Sequence, residues 1–205
     1  MNNSIKTLIE ARISANNYDT TRPVSDLEIS ELVRLATLAP SAYNFQNWKF
    51  IAVRHAGAKA RLKALSFGQQ KVADAPVTFI VCGTLAAHEG LAEALQPSVE
   101  AGIVDKSVFD TWLLMASRSH LDNPQLQRDE AIRSASLAAM TLMLAAQGMG
   151  MSSGSIGGFE AEGVAREFGL APTEIPVMLV TVGYVTEGNW PQKPRKPLHK
   201  VLEFV

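Results

Sequence analysis

Pro40-Ser41-Ala42-Tyr43-Asn44-Phe45-Gln46-Asn47-Trp48 is the stretch from which the rest of the chain can be read. It follows a helical pattern that ends near Ala39, and it precedes the apolar run Phe50-Ile51-Ala52-Val53. Pro40 and Ser41 suit a turn, because proline fixes φ and a serine hydroxyl can bond nearby backbone. Asn44 and Gln46 each offer a donor and an acceptor on one planar amide. Such a pair suits a flat heterocycle carrying N–H and C=O groups along one edge. On these nine residues alone, a loop whose amides cap neighbouring elements is the simpler account, so the remaining chain has to decide.

Upstream, Ser4 can cap a first helix with Ile5, Leu8, Ile9 and Ile13 on one face. Ser25-Asp26-Leu27-Glu28 is a capping box, and it opens a second helix that buries Ile29, Leu32, Val33 and Ala36. Downstream, a strand is predicted over 49–53, a short basic helix over 58–65 and a nearly all-apolar, hence central, strand over 77–82. Residues 104–119 read as a helix with Val108, Phe109, Trp112 and Met115 at helical spacing, either core or a lid over a pocket. The strongest helix is Asp129 to Gln147, apolar almost all round and therefore buried on most sides or facing a second copy. Ser152 to Gly158 reads as a small-residue loop, 159–168 as a helix closed by Gly169, and 177–182 as a third strand. The final Val201-Leu202-Glu203-Phe204-Val205 reads as an edge strand.

The chain has 205 residues, 47% apolar and 19% charged, which suits one globular domain spanning 1–205 with a sizeable core. A formal net charge of −1 gives no reason to expect nucleic acid or an anionic membrane as partner. Cys82 is the single cysteine, so an intrachain disulfide is excluded; within Val77–Gly83 it reads as a small buried apolar residue. The start Met-Asn-Asn-Ser-Ile-Lys holds no apolar signal core, and Ser136 to Met151 is too short and polar for a membrane span. A cytoplasmic protein is the expectation.

Three chemical motifs fail on context. Gly148-x-Gly150-x-x-x-Gly154 follows a long helix, whereas a dinucleotide-binding loop follows a strand. Gly150-Met151-Ser152-Ser153-Gly154 fits G-x-S-x-G but lacks the strand–turn–helix setting and a downstream aspartate. The histidines, at 55, 88, 120 and 199, have no metal-ligand spacing.

Five polar or glycine fragments remain: Arg12-Ile13-Ser14-Ala15-Asn16, the Pro40–Trp48 stretch, Gly68-Gln69-Gln70-Lys71-Val72, Ile156-Gly157-Gly158-Phe159 and Lys193-Pro194-Arg195-Lys196-Pro197. In this order and spacing the chain resembles the FMN-dependent nitroreductase family over nearly its whole length. The resemblance implies an α+β fold, with a mixed, mostly antiparallel sheet flanked by helices, in an intertwined homodimer with FMN at the interface. It implies that Arg12, Ser14, Lys193 and Arg195 hold the phosphate and ribityl end. It puts Asn16, Gln69 and Lys71 by the pyrimidine edge and passes Ser155, Ile156, Gly157 and Gly158 beside the ring. Pro40, Ser41, Ala42, Asn44 and Gln46 would come from the partner chain. NADH or NADPH would be the donor and a nitroaromatic or quinone the acceptor, in ping-pong order and with no protein acid or base nominated. Reduction of a small aldehyde or activated alkene, or flavin binding without turnover, are the alternatives. Asn16 stands where the family usually has Arg or Lys, Asn47 where it has proline, and Gly157 where some members carry Glu.

Overall fold

Helix α1 (Ile5–Ala11) and helix α2 (Asp26–Ala36) precede a 3-10 turn at Ala42–Asn44, strand β1 (Trp48–Val53), α3 (Ala56–Leu65), α4 (Gln70–Asp74) and β2 (Val77–Thr84). Then come α5 (Leu91–Glu100), α6 (Lys106–His120), α7 (Pro124–Gly148), β3 (Ser152–Ile156), α8 (Ala161–Glu167), β4 (Glu174–Gly183) and a final 3-10 turn at Leu198–Lys200. This computed structural model describes residues 5–205; the predicted cap at Ser4 lies outside them.

The strands form one sheet in the order β1-β2-β4-β3, and every named pair is antiparallel. The parallel contribution is an isolated bridge between Ser14 and Ser153. β2 is buried from Val77 through Gly83, as its unbroken apolar run predicts. Its alternate side chains serve two cores. Val77, Phe79 and Val81 join Val180 and Val182 against α2 and α7, whereas Ile80, Cys82 and Leu179 pack on the other face against Leu62, Val72 and Val164 of α3, α4 and α8. The result is a sheet between two helical layers, an α+β architecture. Burial pushes the Cys82 thiol up to about 12, which suits its role as inert packing.

α7 lies close on the sheet because its inner positions are small: Ala131, Ala135, Ala138 and Ala139 are buried, and Gly83 faces the Ala131 backbone where a Cβ would collide at 2.4 Å. Its outer face leaves Leu137 and Met140 exposed. The capping box of α2 is complete, with Glu28 N donating to Ser25 Oγ and Ser25 N donating to Glu28 Oε2. α7 begins at Pro124, five residues before the predicted start, on an Asn123 cap with proline in the first turn. No helix among the described residues is long and apolar enough to cross a membrane.

Two expectations are corrected. Residues 152–156 are not a loop but edge strand β3, held by backbone pairing to β4 rather than by side-chain pattern. Residues 201–205 pair with no strand within this chain: they are exposed and follow the last 3-10 turn.

Candidate cofactor site

The segment after α1 pairs with β3, and the tail after β4 is tied back to that segment. After α1, Ala15 N donates to Ser153 O at 3.0 Å, and Tyr18 donates or accepts at Thr181 Oγ1, 2.8 Å away. Burial holds the Tyr18 phenol protonated. Gly154 permits this approach: a Cβ there would lie 2.7 Å from Ala15 O. The tail is fastened to the same segment by two amides. Asn189 Oδ1 accepts from Asn16 N (2.7 Å) and Asn17 N (3.0 Å), while its Nδ2 donates to Asn17 O at 2.9 Å. Gln192 Nε2 donates to Arg12 O at 3.1 Å.

These ties bring Arg12, Ser14, Lys193 and Arg195 around one hollow. A second hollow beside it is lined by Asn16, Asn17, Gln69, Gln70 and Lys71. Lys71 Nζ donates to Asn16 Oδ1 at 3.3 Å. Its pKa is lowered, first by burial and then by the charge of Lys193, so the two hollows share one positive field. Among the described residues, none of these four cations is in an ion pair with a carboxylate; Arg12 and Arg195 donate to backbone carbonyls, and Lys193 lies 4.7 Å from the centroid of the Trp190 ring. Clustered cations left uncompensated make an anion site.

Gln69 joins β3's end to this corner. Its Nε2 donates to Gly158 O at 2.9 Å and to Ser66 O at 3.0 Å. Ser155, Gly157 and Gly158 are exposed, while Ile156 is buried. A Cβ on Gly157 would meet nothing within 4 Å, and one on Gly158 only side-chain atoms at 3.9 Å or beyond. Gly157 is open on its Cβ side, whereas Gly158 is flanked by the Gln69 and Phe67 side chains, so the bare backbone at 157 is the stretch left for a flat ligand.

The Pro40–Trp48 loop is built differently. Tyr43, Asn44 and Gln46 all have positive φ, at 51°, 59° and 49°. Non-glycine residues there cost about 1–3 kcal/mol each and persist where the surroundings enforce them. Gln46 N donates to Ser41 Oγ at 2.9 Å, and Phe45 and Tyr43 are wedged against Leu91, Leu95, Ala116 and Trp112 of α5 and α6. The buried His120 ring stands 5.1 Å from that of Phe45. Asn47 is buried and reaches Thr84 O with Nδ2 at 3.4 Å. Side chains thus alternate: 43, 45 and 47 point inward, and the Asn44 and Gln46 amides stand exposed with no hydrogen bond of their own among the described residues.

Within one chain the loop and the cationic corner stay apart. Trp48 pairs with Gly83 on the β1 edge, level with Ile175, whereas Ser153 pairs with Val182 on the β3 edge. Strand spacings place them about 14 Å apart across the sheet and about 24 Å along it.

The model of the nitroreductase family matches residues 9–184. The chain belongs to the nitroreductase family. It is 34% identical over 198 residues to a Bacillus subtilis (strain 168) protein named as a candidate NAD(P)H nitroreductase, YodC, covering 97% of each chain. A candidate nitroreductase of Exiguobacterium sibiricum, solved in complex with FMN, superposes with a TM-score of 0.90 at 28% identity, covering 98% of this chain and 97% of that one. A CLA biosynthesis enone reductase from Lactiplantibacillus plantarum is 25% identical over 206 residues, covering 97% of this chain and 90% of its own. The family match stops before Lys193 and Arg195, so their place rests on the geometry above. Asn189 and Gln192, which fasten the tail, escaped the sequence reading; the one local sign is Gly188 at φ +84°, turning the chain back just before Asn189.

Proposed function

We propose that the protein is an FMN-dependent NAD(P)H oxidoreductase whose residues 1–205 form one domain, working as a cytoplasmic homodimer on nitroaromatic or quinone acceptors. The observation that carries this reading is the set of four cations without carboxylate partners among the described residues, beside open glycine backbone. Arg12, Ser14, Lys193 and Arg195 would hold the FMN phosphate and ribityl end, where the arginines offer planar donor forks to the phosphate. Asn16, Gln69 and Lys71 would meet the pyrimidine edge, and Ser155, Ile156, Gly157 and Gly158 would run beside the ring. Bound FMN would supply the redox chemistry between an NADH or NADPH donor and the acceptor, and these residues would hold and orient it.

Pro40, Ser41, Ala42, Asn44 and Gln46 complete the site from the second chain, because their own corner is too distant. The exposed Leu137 and Met140 on α7 and Leu198, Val201, Leu202 and Phe204 in the tail supply apolar surface for that pairing. The enone reductase relative favours a second reading, reduction of an activated alkene on the same site.

The test is direct. Purified protein should be yellow, and its heat-released chromophore should chromatograph as FMN; FAD or no flavin sinks the proposal. Double-reciprocal plots at several acceptor concentrations should be parallel, because one ring face serves donor and acceptor in turn. Intersecting lines would refute the shared face. A screen of quinones, nitroaromatics and enones separates the two readings by relative kcat/KM.

A further inference from the structure

Phe67 breaks two rules at once. It has φ +56°, and its side chain is 68% exposed. A left-handed phenylalanine is unfavourable, and an exposed one gains nothing from burial. Gly68 follows with φ +71° and donates its N–H to Lys63 O at 3.0 Å, closing α3. A glycine at 67 would make the same reversal without strain. The phenyl ring lies against Gly158, its Cδ2 3.9 Å from where a Cβ on that residue would stand. Gln69, bonded to both Ser66 O and Gly158 O, locks the two segments together. The ring is therefore held at the rim of the proposed flavin site, with much of its surface open. Its surroundings are polar: from 66 to 71 and from 155 to 158 it is the one large exposed apolar side chain. A protein partner's apolar patch would find little else to cover there, whereas a flat ring bearing polar substituents fits an isolated aromatic face within a polar rim.

We infer that Phe67 is the stacking platform for planar aromatic ligands at this site and so sets its preference for aromatic over aliphatic acceptors. The inference rests on the FMN reading and deepens it.

The experiment uses FMN-loaded protein and two non-reducible probes, 2-naphthoate and its saturated analogue decahydro-2-naphthoate, titrated by calorimetry. Phe67→Leu keeps apolar bulk but loses the flat face, and should weaken naphthoate binding about 3- to 10-fold while leaving the saturated probe unchanged. Phe67→Tyr should restore naphthoate affinity. Phe67→Gly should weaken naphthoate binding in the same way yet raise Tm by about 2–4 °C, because the strain is released. Equal losses for both probes, unchanged naphthoate binding, or a monomer by light scattering in the Leu variant would each overturn the inference. With FMN retained, such a result strikes Phe67 alone; a wild-type protein without FMN overturns the site reading together with it.

Discussion

The cationic corner and the Pro40–Trp48 loop hold the two halves of one proposed site, and they are made in opposite ways. The corner is closed by polar contacts between the chain's ends: Asn16 and Asn189 are 173 residues apart. The loop is closed locally, by Ser41 on Gln46 five residues on, and then pinned by aromatic packing on α5 and α6. The corner carries charge without strain; the loop carries strain without charge. Charge holds an anion wherever it is gathered. Amides that read a ring edge need a fixed direction, and a forced backbone supplies it. The difference predicts that damage at the corner releases the ligand, whereas damage at the loop misplaces it.

The largest effect should come from cutting the corner's long-range tie. Truncation after Gly188 removes Asn189, Lys193 and Arg195 together. Two charge-assisted contacts at about 1.5–3 kcal/mol each predict FMN retention weakened by roughly a hundredfold or more. Dialysis followed by the flavin absorbance ratio reads it. Arg195→Ala alone should lose at least about tenfold; unchanged affinity in either variant would move the phosphate elsewhere.

What could be read in advance follows the same division. The α2 capping box and the apolar β2 run depend on neighbours in sequence, and both stand as written. The β3 strand, Ser152-Ser153-Gly154-Ser155-Ile156, has neither alternation nor β-branched residues before Ile156, so its state is decided by β4 and the Ser14 bridge. Asn189 looks like any turn residue until residues 16 and 17 are placed beside it. The final Val-Leu-Glu-Phe-Val run had the composition of a strand but found no edge in its own chain. Of the proposed site, each fragment was visible, and the sheet geometry that separates them was not.

A complementation experiment tests that separation at intermediate effect. Arg195→Ala breaks the corner, and the paired change Asn44→Ala with Gln46→Ala breaks the loop. If each site takes its corner from one chain and its loop from the other, a mixed dimer has one intact site and one doubly damaged. Unfolding and refolding an equimolar mixture should then recover about a quarter of wild-type turnover, above either parent. No gain on mixing would place both halves in one chain and break the comparison.

The smallest effect concerns Lys71, where the corner's field can be measured without the loop. Burial and the neighbouring Lys193 lower its pKa from the usual lysine value. Folding therefore disfavours the ammonium. In the window between the lowered folded value and the ordinary unfolded one, the unfolded chain binds more protons than the native one. Stability must then rise as pH increases through that window. Flavin-free wild type should show this rise on approaching pH ~10, and Lys71→Met should show less of it, the difference between the two curves isolating the residue. An anion in the corner favours the charged lysine, so saturating FMN should flatten the wild-type rise. In the loaded protein, Lys71→Met should also lower the two-electron reduction potential, by about 30 mV for each tenfold loss of preference for the reduced, anionic flavin. Denaturant titrations at a series of alkaline pH values and a dye-equilibrated potential measure the two. Identical pH curves for wild type and variant would show that Lys71 carries no part of the corner's charge, and an unchanged potential would place it away from the ring.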